Sequence, residues 1–318
     1  MKKNVFIIVM LTLITCISSV FAQQRPIYDQ YHFDYYLINP AIAGADRISH
    51  ILGTGNIGMA GKDGPNTFML SFRTRLKSKN IGLGGYIYND NTPNFNYIGG
   101  QFTFAYHIPM SIGARYRKFV ELDRQLSFGL SARIKYLSYT SHGMEAFDPA
   151  DLGEGEVIPD VNFGIYYQSY GWFAGFSMTN MIPFKPRILN DLYLQEELTM
   201  MLFGGYAAGI AEGKTIEPSI NYHADIVGNH QLEINLKYTQ NNEISKAGFW
   251  AQLSYRHNFW DTKANQTMVL IPMIGARFGK FQLGYAFNLH LNELASTTAG
   301  THEFVLGYSF YTPKRFCR

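Results

Sequence analysis

Between residues 230 and 241 the side chains change sides at every step. Leu232, Ile234, Leu236 and Tyr238 share one face, and Gln231, Glu233, Asn235, Lys237 and Thr239 share the other. Residues 126–136 repeat the pattern, with Leu126, Phe128, Leu130, Ala132, Ile134 and Tyr136 opposite Ser127, Gly129, Ser131, Arg133 and Lys135. It returns at 281–289, where Phe281, Leu283, Tyr285, Phe287 and Leu289 oppose Gln282, Gly284, Ala286 and Asn288. A period of two is the signature of a strand with unlike faces. With turn residues as punctuation, the pattern predicts strands near 49–60, 66–76, 80–89, 97–109, 125–139, 160–168, 171–180, 198–210, 215–226, 230–241, 246–258, 266–278, 280–290 and 301–312. That makes about 14 strands, an even number as closed single-chain bacterial barrels require. Pro218 and Pro272 fall inside predicted strands, where a bulge is expected at each. The pairs Gly84-Gly85 and Gly204-Gly205 break the alternation and are expected to mark kinks.

The apolar face is large and aromatic, whereas the other mixes Gly, Ser, Gln and scattered charges. A lipid-facing exterior around a crowded polar interior accounts for both; a soluble sandwich is the competing reading. Composition separates them. The chain is 15% aromatic, with 22 Tyr, 24 Phe and 30 Gly, and only 16% charged, against roughly 25% charged in ordinary soluble domains. After the N-terminus no apolar run reaches about 18 residues, which excludes spanning helices. A closed barrel is the other structure that satisfies its backbone in lipid. The expected fold is therefore all-β: a transmembrane antiparallel β-barrel.

Residues 1–22 read as an export signal, with Lys2 and Lys3 ahead of the apolar stretch Val5 to Ile14 and cleavage expected after Ala22. A lipoprotein signal ending at Cys16 is the rival reading. Residues 23–47 are then an N-terminal segment, either extended in the periplasm or plugging the lumen. Residues 48–312 form the barrel and 313–318 a tail, with Phe310 and Phe316 both candidates for the terminal aromatic of the barrel. Cys317 stands alone once Cys16 leaves, so no internal disulfide is expected. Four connections are longer: 110–124, basic with Arg115, Arg117 and Lys118; 140–159, acidic; 181–197; and 291–300. Long connections are expected on the outward side and short turns on the periplasmic side.

No pattern commits the chain to catalysis. H-E-x-x-H, G-x-S-x-G, the phosphate-binding glycine loop and a cysteine pair are all missing from the sequence. The nine histidines are scattered, and His107, His223 and His257 read as polar filler or interfacial side chains within strands. Asp148, Asp151 and Glu154 could ligate calcium, but a solvated acidic loop is the simpler reading. No cofactor or metal is expected. With 27 Lys and Arg against 24 Asp and Glu, nothing calls for nucleic acid as a partner. The phase of the alternation aims Arg73, Arg133, Lys135, Glu217, Asp225, Glu233, Lys237, Arg256, Arg277 and Glu303 into the lumen. A pore selective for one ion sign would favour like charges; mixed signs favour mutual pairing in a filled lumen.

The run Tyr28-Asp29-Gln30-Tyr31-His32-Phe33, followed by Leu37-Ile38-Asn39-Pro40-Ala41-Ile42-Ala43-Gly44, resembles the start of mature PorP/SprF proteins. Three further pieces agree in order: Pro159 to Tyr167, Ala174-Gly175-Phe176-Ser177, and Gly300-Thr301-His302-Glu303-Phe304. The resemblance implies an outer-membrane barrel of the Bacteroidota type IX secretion and gliding motility apparatus. It also implies a partner, either a secretion component or the C-terminal domain of a secreted adhesin anchored at the cell surface. Two non-enzymatic functions follow, a docking or anchoring barrel and, as the alternative, a diffusion porin or uptake channel. A lipase or protease would need a positioned nucleophile and base, for which His107 and Ser111 are the nearest approach.

Overall fold

The computed structural model describes residues 29–58, 66–76, 80–92, 95–110, 124–139, 155–184, 197–242, 247–259, 267–291 and 300–310. The cleavage site, the tail and the acidic residues Asp148, Asp151 and Glu154 lie outside them. Strands are β1 (Ser49–Gly58), β2 (Asn66–Arg75), β3 (Ile81–Asn91), β4 (Phe95–Pro109), β5 (Arg124–Tyr139), β6 (Glu156–Ser169), β7 (Trp172–Thr179) and β8 (Thr199–Tyr206). They continue as β9 (Ala208–Ala211), β10 (Lys214–Asp225), β11 (His230–Asn242), β12 (Ala247–Phe259), β13 (Thr267–Phe278), β14 (Phe281–His290) and β15 (Thr301–Phe310). Sequence neighbours pair antiparallel, except that β8 and β9 both pair with β10 and not with each other, and β1 pairs with β15 from Ser49↔Phe310 to Gly58↔Thr301. That last ladder closes the sheet. Because β9 continues β8 along β10 after a break at Ala207, the cylinder has 14 walls.

The alternation now has a spatial meaning. Leu130, Ile134, Phe102, Ile87 and Ile274 are each more than half exposed on the convex side. Ser127, Ser131, Thr103, Gln101 and Asn162 are buried on the concave side. A soluble protein would bury the first set. Hydrocarbon outside and polar packing inside reverse the usual order.

Neither proline carries a bulge. Pro218 keeps its register with Leu236 on the β11 side, and on the other side β10 pairs with β8 only from Ser219 and with β9 only up to Ile216. Pro272 keeps its register with Leu253, while the β13–β14 ladder passes from Leu270↔Leu289 to Met273↔Ala286. The missing N–H is accommodated by leaving one neighbouring ladder open at that point. Gly84 and Gly85 also hold their register with β2 and β4, so no kink occurs there. Gly84, on the inward phase, leaves space for Tyr36, whereas Gly85 lies on the outward phase with Leu83 and Ile87.

The two-residue turns all lie at one end. Tyr170 and Gly171, both with positive φ (46° and 85°), make the two-residue hairpin between Ser169 and Trp172. Glu212-Gly213 and Gly279-Lys280 turn at the same end, where β1 starts and β15 finishes. Pro109 and Arg124, which flank the basic connection 110–123, also lie there. Strand parity thus separates this long connection from the other three, against the expectation that all four share the outward side.

Candidate functional site: the lumen and the segment it holds

Residues 29–48 run inside the barrel as three short 3₁₀ turns, Asp29–His32, Tyr35–Leu37 and Pro40–Ile42. The sequence dictates these turns locally. Asp34 Oδ1 accepts from the Tyr36 amide at 3.1 Å, and Asn39 Oδ1 accepts from the Ala41 amide at 2.9 Å. Pro40 follows its cap at the first helical position, where its absent N–H costs nothing.

Polar anchors then reach the wall in several directions. The Tyr31 hydroxyl donates to Glu233 on β11 at 2.6 Å, and the His32 ring lies 3.3 Å from the same carboxylate. Arg256 on β12 completes this cluster, 2.9 Å from Glu233. Toward the turn end, Arg73 on β2 holds Asp34 and Asp46, each at 3.0 Å. Tyr36 meets Thr103 on β4 at 2.9 Å. The Asn39 amide donates to the carbonyls of Ile165 on β6 and Phe176 on β7. His107 on β4 sits 2.9 Å from the Ala43 carbonyl and 2.8 Å from Ser127 on β5. Burial pushes the phenols of Tyr35 and Tyr36 up, so both act as neutral groups.

The apolar contacts are equally directed. Tyr35 stacks on Phe203 with centroids 4.9 Å apart, and Phe33 packs 5.9 Å from Trp250. Glycines on the concave face give the segment its room. A Cβ on Gly82 would fall 1.8 Å from the Ala43 carbonyl oxygen, and one on Gly129 would fall 2.3 Å from the Pro40 carbonyl carbon. One on Gly84 would meet the Tyr36 hydroxyl at 2.6 Å.

The ten charges aimed inward by the alternation separate into groups. Arg73, Glu233 and Arg256 hold the segment, as above. Arg133 bonds to Asp160 and Asn180, wall to wall. Lys135 is buried, and Glu303 is buried and accepts from Asn56 and Asn288. Glu217 faces Lys237 in register across β10–β11, and Lys237 lies 5.0 Å from the Trp250 ring. Asp225 and Arg277 sit at strand ends beyond the lumen. Asp225 accepts from the Val227 and Asn229 amides of its turn, and Arg277 donates to Asn241 at the opposite rim. Sequence reasoning missed the partners inside the segment, Tyr31, His32, Asp34 and Asp46. It also missed the uncharged wall groups Thr103, His107 and Gln125, although all three occupy the inward phase.

The segment that makes these contacts is the one carrying Asn39-Pro40-Ala41-Ile42-Ala43-Gly44. The family described as type IX secretion system membrane protein PorP/SprF matches residues 20–308. The chain belongs to the PorP/SprF family. This PorP/SprF barrel is an outer-membrane protein of the type IX secretion system. A comparison with curated proteins finds no match. Among solved structures it is similar to CdiB from Acinetobacter baumannii, at 9% identity and TM-score 0.45 over 83% of this chain, and it spans 60% of that chain. It is also similar to BamA from Haemophilus ducreyi, at 10% identity and TM-score 0.40 over 82% of this chain and 70% of that one. The translocator domain of NalP from Neisseria meningitidis aligns at 10% identity and TM-score 0.36 over 83% and 87%.

Proposed function

We propose that this PorP/SprF barrel is a closed docking scaffold of the type IX system, in which residues 23–47 plug the lumen and the 48–312 barrel anchors a secreted surface protein or an apparatus component. The observation that carries the reading is the fit of residues 29–48 to opposite sides of the wall, from Arg73 on β2 to Glu233 on β11. A conducting pore must keep its axis free, and the complete burial of Tyr31, Tyr36 and Ala41 between the segment and the wall supports a filled lumen instead. The lumen-facing charges then serve as anchors and mutual pairs, since both signs occur around the wall. Docking falls to the loops and rims.

Two measurements test this. Planar-bilayer recording of the purified barrel is expected to show no stable conductance, and deletion of residues 23–47 to open one. Cross-linking in cells is expected to capture a large secreted surface protein or a secretion component, and deletion of the barrel to remove that protein from the surface. A reproducible open conductance of the intact chain together with unimpaired surface display would establish the porin alternative instead.

A further inference from the structure

Three histidines face outward, away from the lumen, each within two residues of the loop end of its strand: His230 on β11, His257 on β12 and His302 on β15. Each is paired with a tyrosine on the same exterior surface. Tyr222 meets His230 Nδ1 at 2.8 Å, Tyr255 meets His257 Nδ1 at 3.4 Å, and Tyr285 meets His302 Nδ1 at 2.7 Å. With the phenol donating to Nδ1, the ring proton sits on Nε2 and is directed to whatever lies outside the barrel. Tyrosine-bearing pairs near the strand ends are the residues expected at the membrane–water interface, where acyl chains give way to headgroups.

Below one of these pairs the wall is indented. An apolar groove of about 1290 Å³ crosses the exterior from β12 to β4. Its floor is bare at Gly53, the Phe68 ring lies over Gly55, and Ile274, Phe304 and Leu306 rise around it. Tyr285 lines the groove and also bonds His302, so groove and donor are continuous. On β15, His302 stands two residues beyond Phe304, about 7 Å nearer the loop end. The Phe287 ring, 5.0 Å away, backs the imidazole.

We propose that the groove and the Tyr285–His302 pair form a site for one phosphate-bearing membrane lipid. Its acyl chains lie over Gly53 and against the Phe68 ring, and its phosphate accepts from His302 Nε2. The occupant follows from the position. A groove opening into the hydrocarbon layer takes acyl chains, and an N–H donor at the interface end of that groove takes the acceptor that membrane lipids carry there, a phosphate. Free phosphate lacks the apolar portion that the groove receives. Tyr222–His230 and Tyr255–His257 repeat the headgroup half of the arrangement farther round the barrel.

The test is native mass spectrometry of the full chain in detergent, titrated with phosphatidic acid and with diacylglycerol of the same chains. Phosphatidic acid should bind about tenfold more tightly than diacylglycerol, the size expected of one hydrogen bond to a charged acceptor. His302→Phe should abolish that preference and leave diacylglycerol binding unchanged. Gly53→Leu fills the groove where the nearest atom, the Leu306 carbonyl oxygen, is 3.8 Å away, and should weaken both lipids. Heat-modifiable migration on gels reports that both variants fold. Equal binding of the two lipids, or a preference that survives His302→Phe, would overturn the proposal.

Discussion

Gly164 lies so close to Asn39 that a Cβ placed on it would be 2.1 Å from the Asn39 carboxamide oxygen. That oxygen caps the turn at Pro40, and its amide nitrogen holds the carbonyls of β6 and β7. Gly164→Ala is therefore expected to overpack the segment at a tightly constrained point, at a cost of about 1–3 kcal/mol. Urea unfolding of the reconstituted barrel measures it. Gly209→Ala, with nothing within 4 Å, is the neutral control.

Arg73 is the only wall cation among the described residues seen to bond both Asp34 and Asp46. Arg73→Met removes one positive charge from two carboxylates, and breaking a buried pair this way costs about 3–5 kcal/mol. The lower end is expected because Asp46 is 37% exposed. Limited proteolysis should then cut between residues 29 and 48, while the unsubstituted protein should resist.

Tyr31 and Glu233, 202 positions apart in sequence, share one short hydrogen bond. A double-mutant cycle of Tyr31→Phe and Glu233→Gln should give a coupling of about 0.5–3 kcal/mol, the range of residues in one network. Additive effects would mean that the cluster does not hold the segment.

The pH dependence of the segment is expected on the acid side. Partial burial would raise the Asp46 carboxyl, but Arg73 and His50 outweigh it and hold it below the usual carboxylate range. A folded-state pKa below the unfolded one gives stability that is present above the unfolded value and lost as pH falls toward the folded one. Proteolytic release of the segment should therefore rise only under acid conditions, and Asp46→Asn should flatten that limb.

Leu130 is 55% exposed at the middle of β5. If hydrocarbon covers it, Leu130→Arg destabilises the barrel in bilayers by about 2–4 kcal/mol. A water-facing leucine would tolerate the change. Folding titrations into lipid vesicles distinguish these outcomes.

The sequence by itself determined the wall. Strict alternation can be satisfied only by strands whose two faces meet different surroundings, and the size and aromatic content of one face assign lipid to it. The predicted strand limits agree with β1 to β15 to within a few residues, apart from the split between β8 and β9. Asn39-Pro40 likewise declares its own turn, because cap and proline act within three residues. What the tertiary structure alone decided is which side chains meet. Ladder closure between β1 and β15, the bracing of Asp34 by Arg73, and the Tyr31–Glu233 bond join residues remote along the chain. Alternation tells whether a charge points inward but not what stands opposite it. Register and closure set that, and they also separated Asp225 and Arg277, at the rims, from Glu233 and Arg256, which hold the segment.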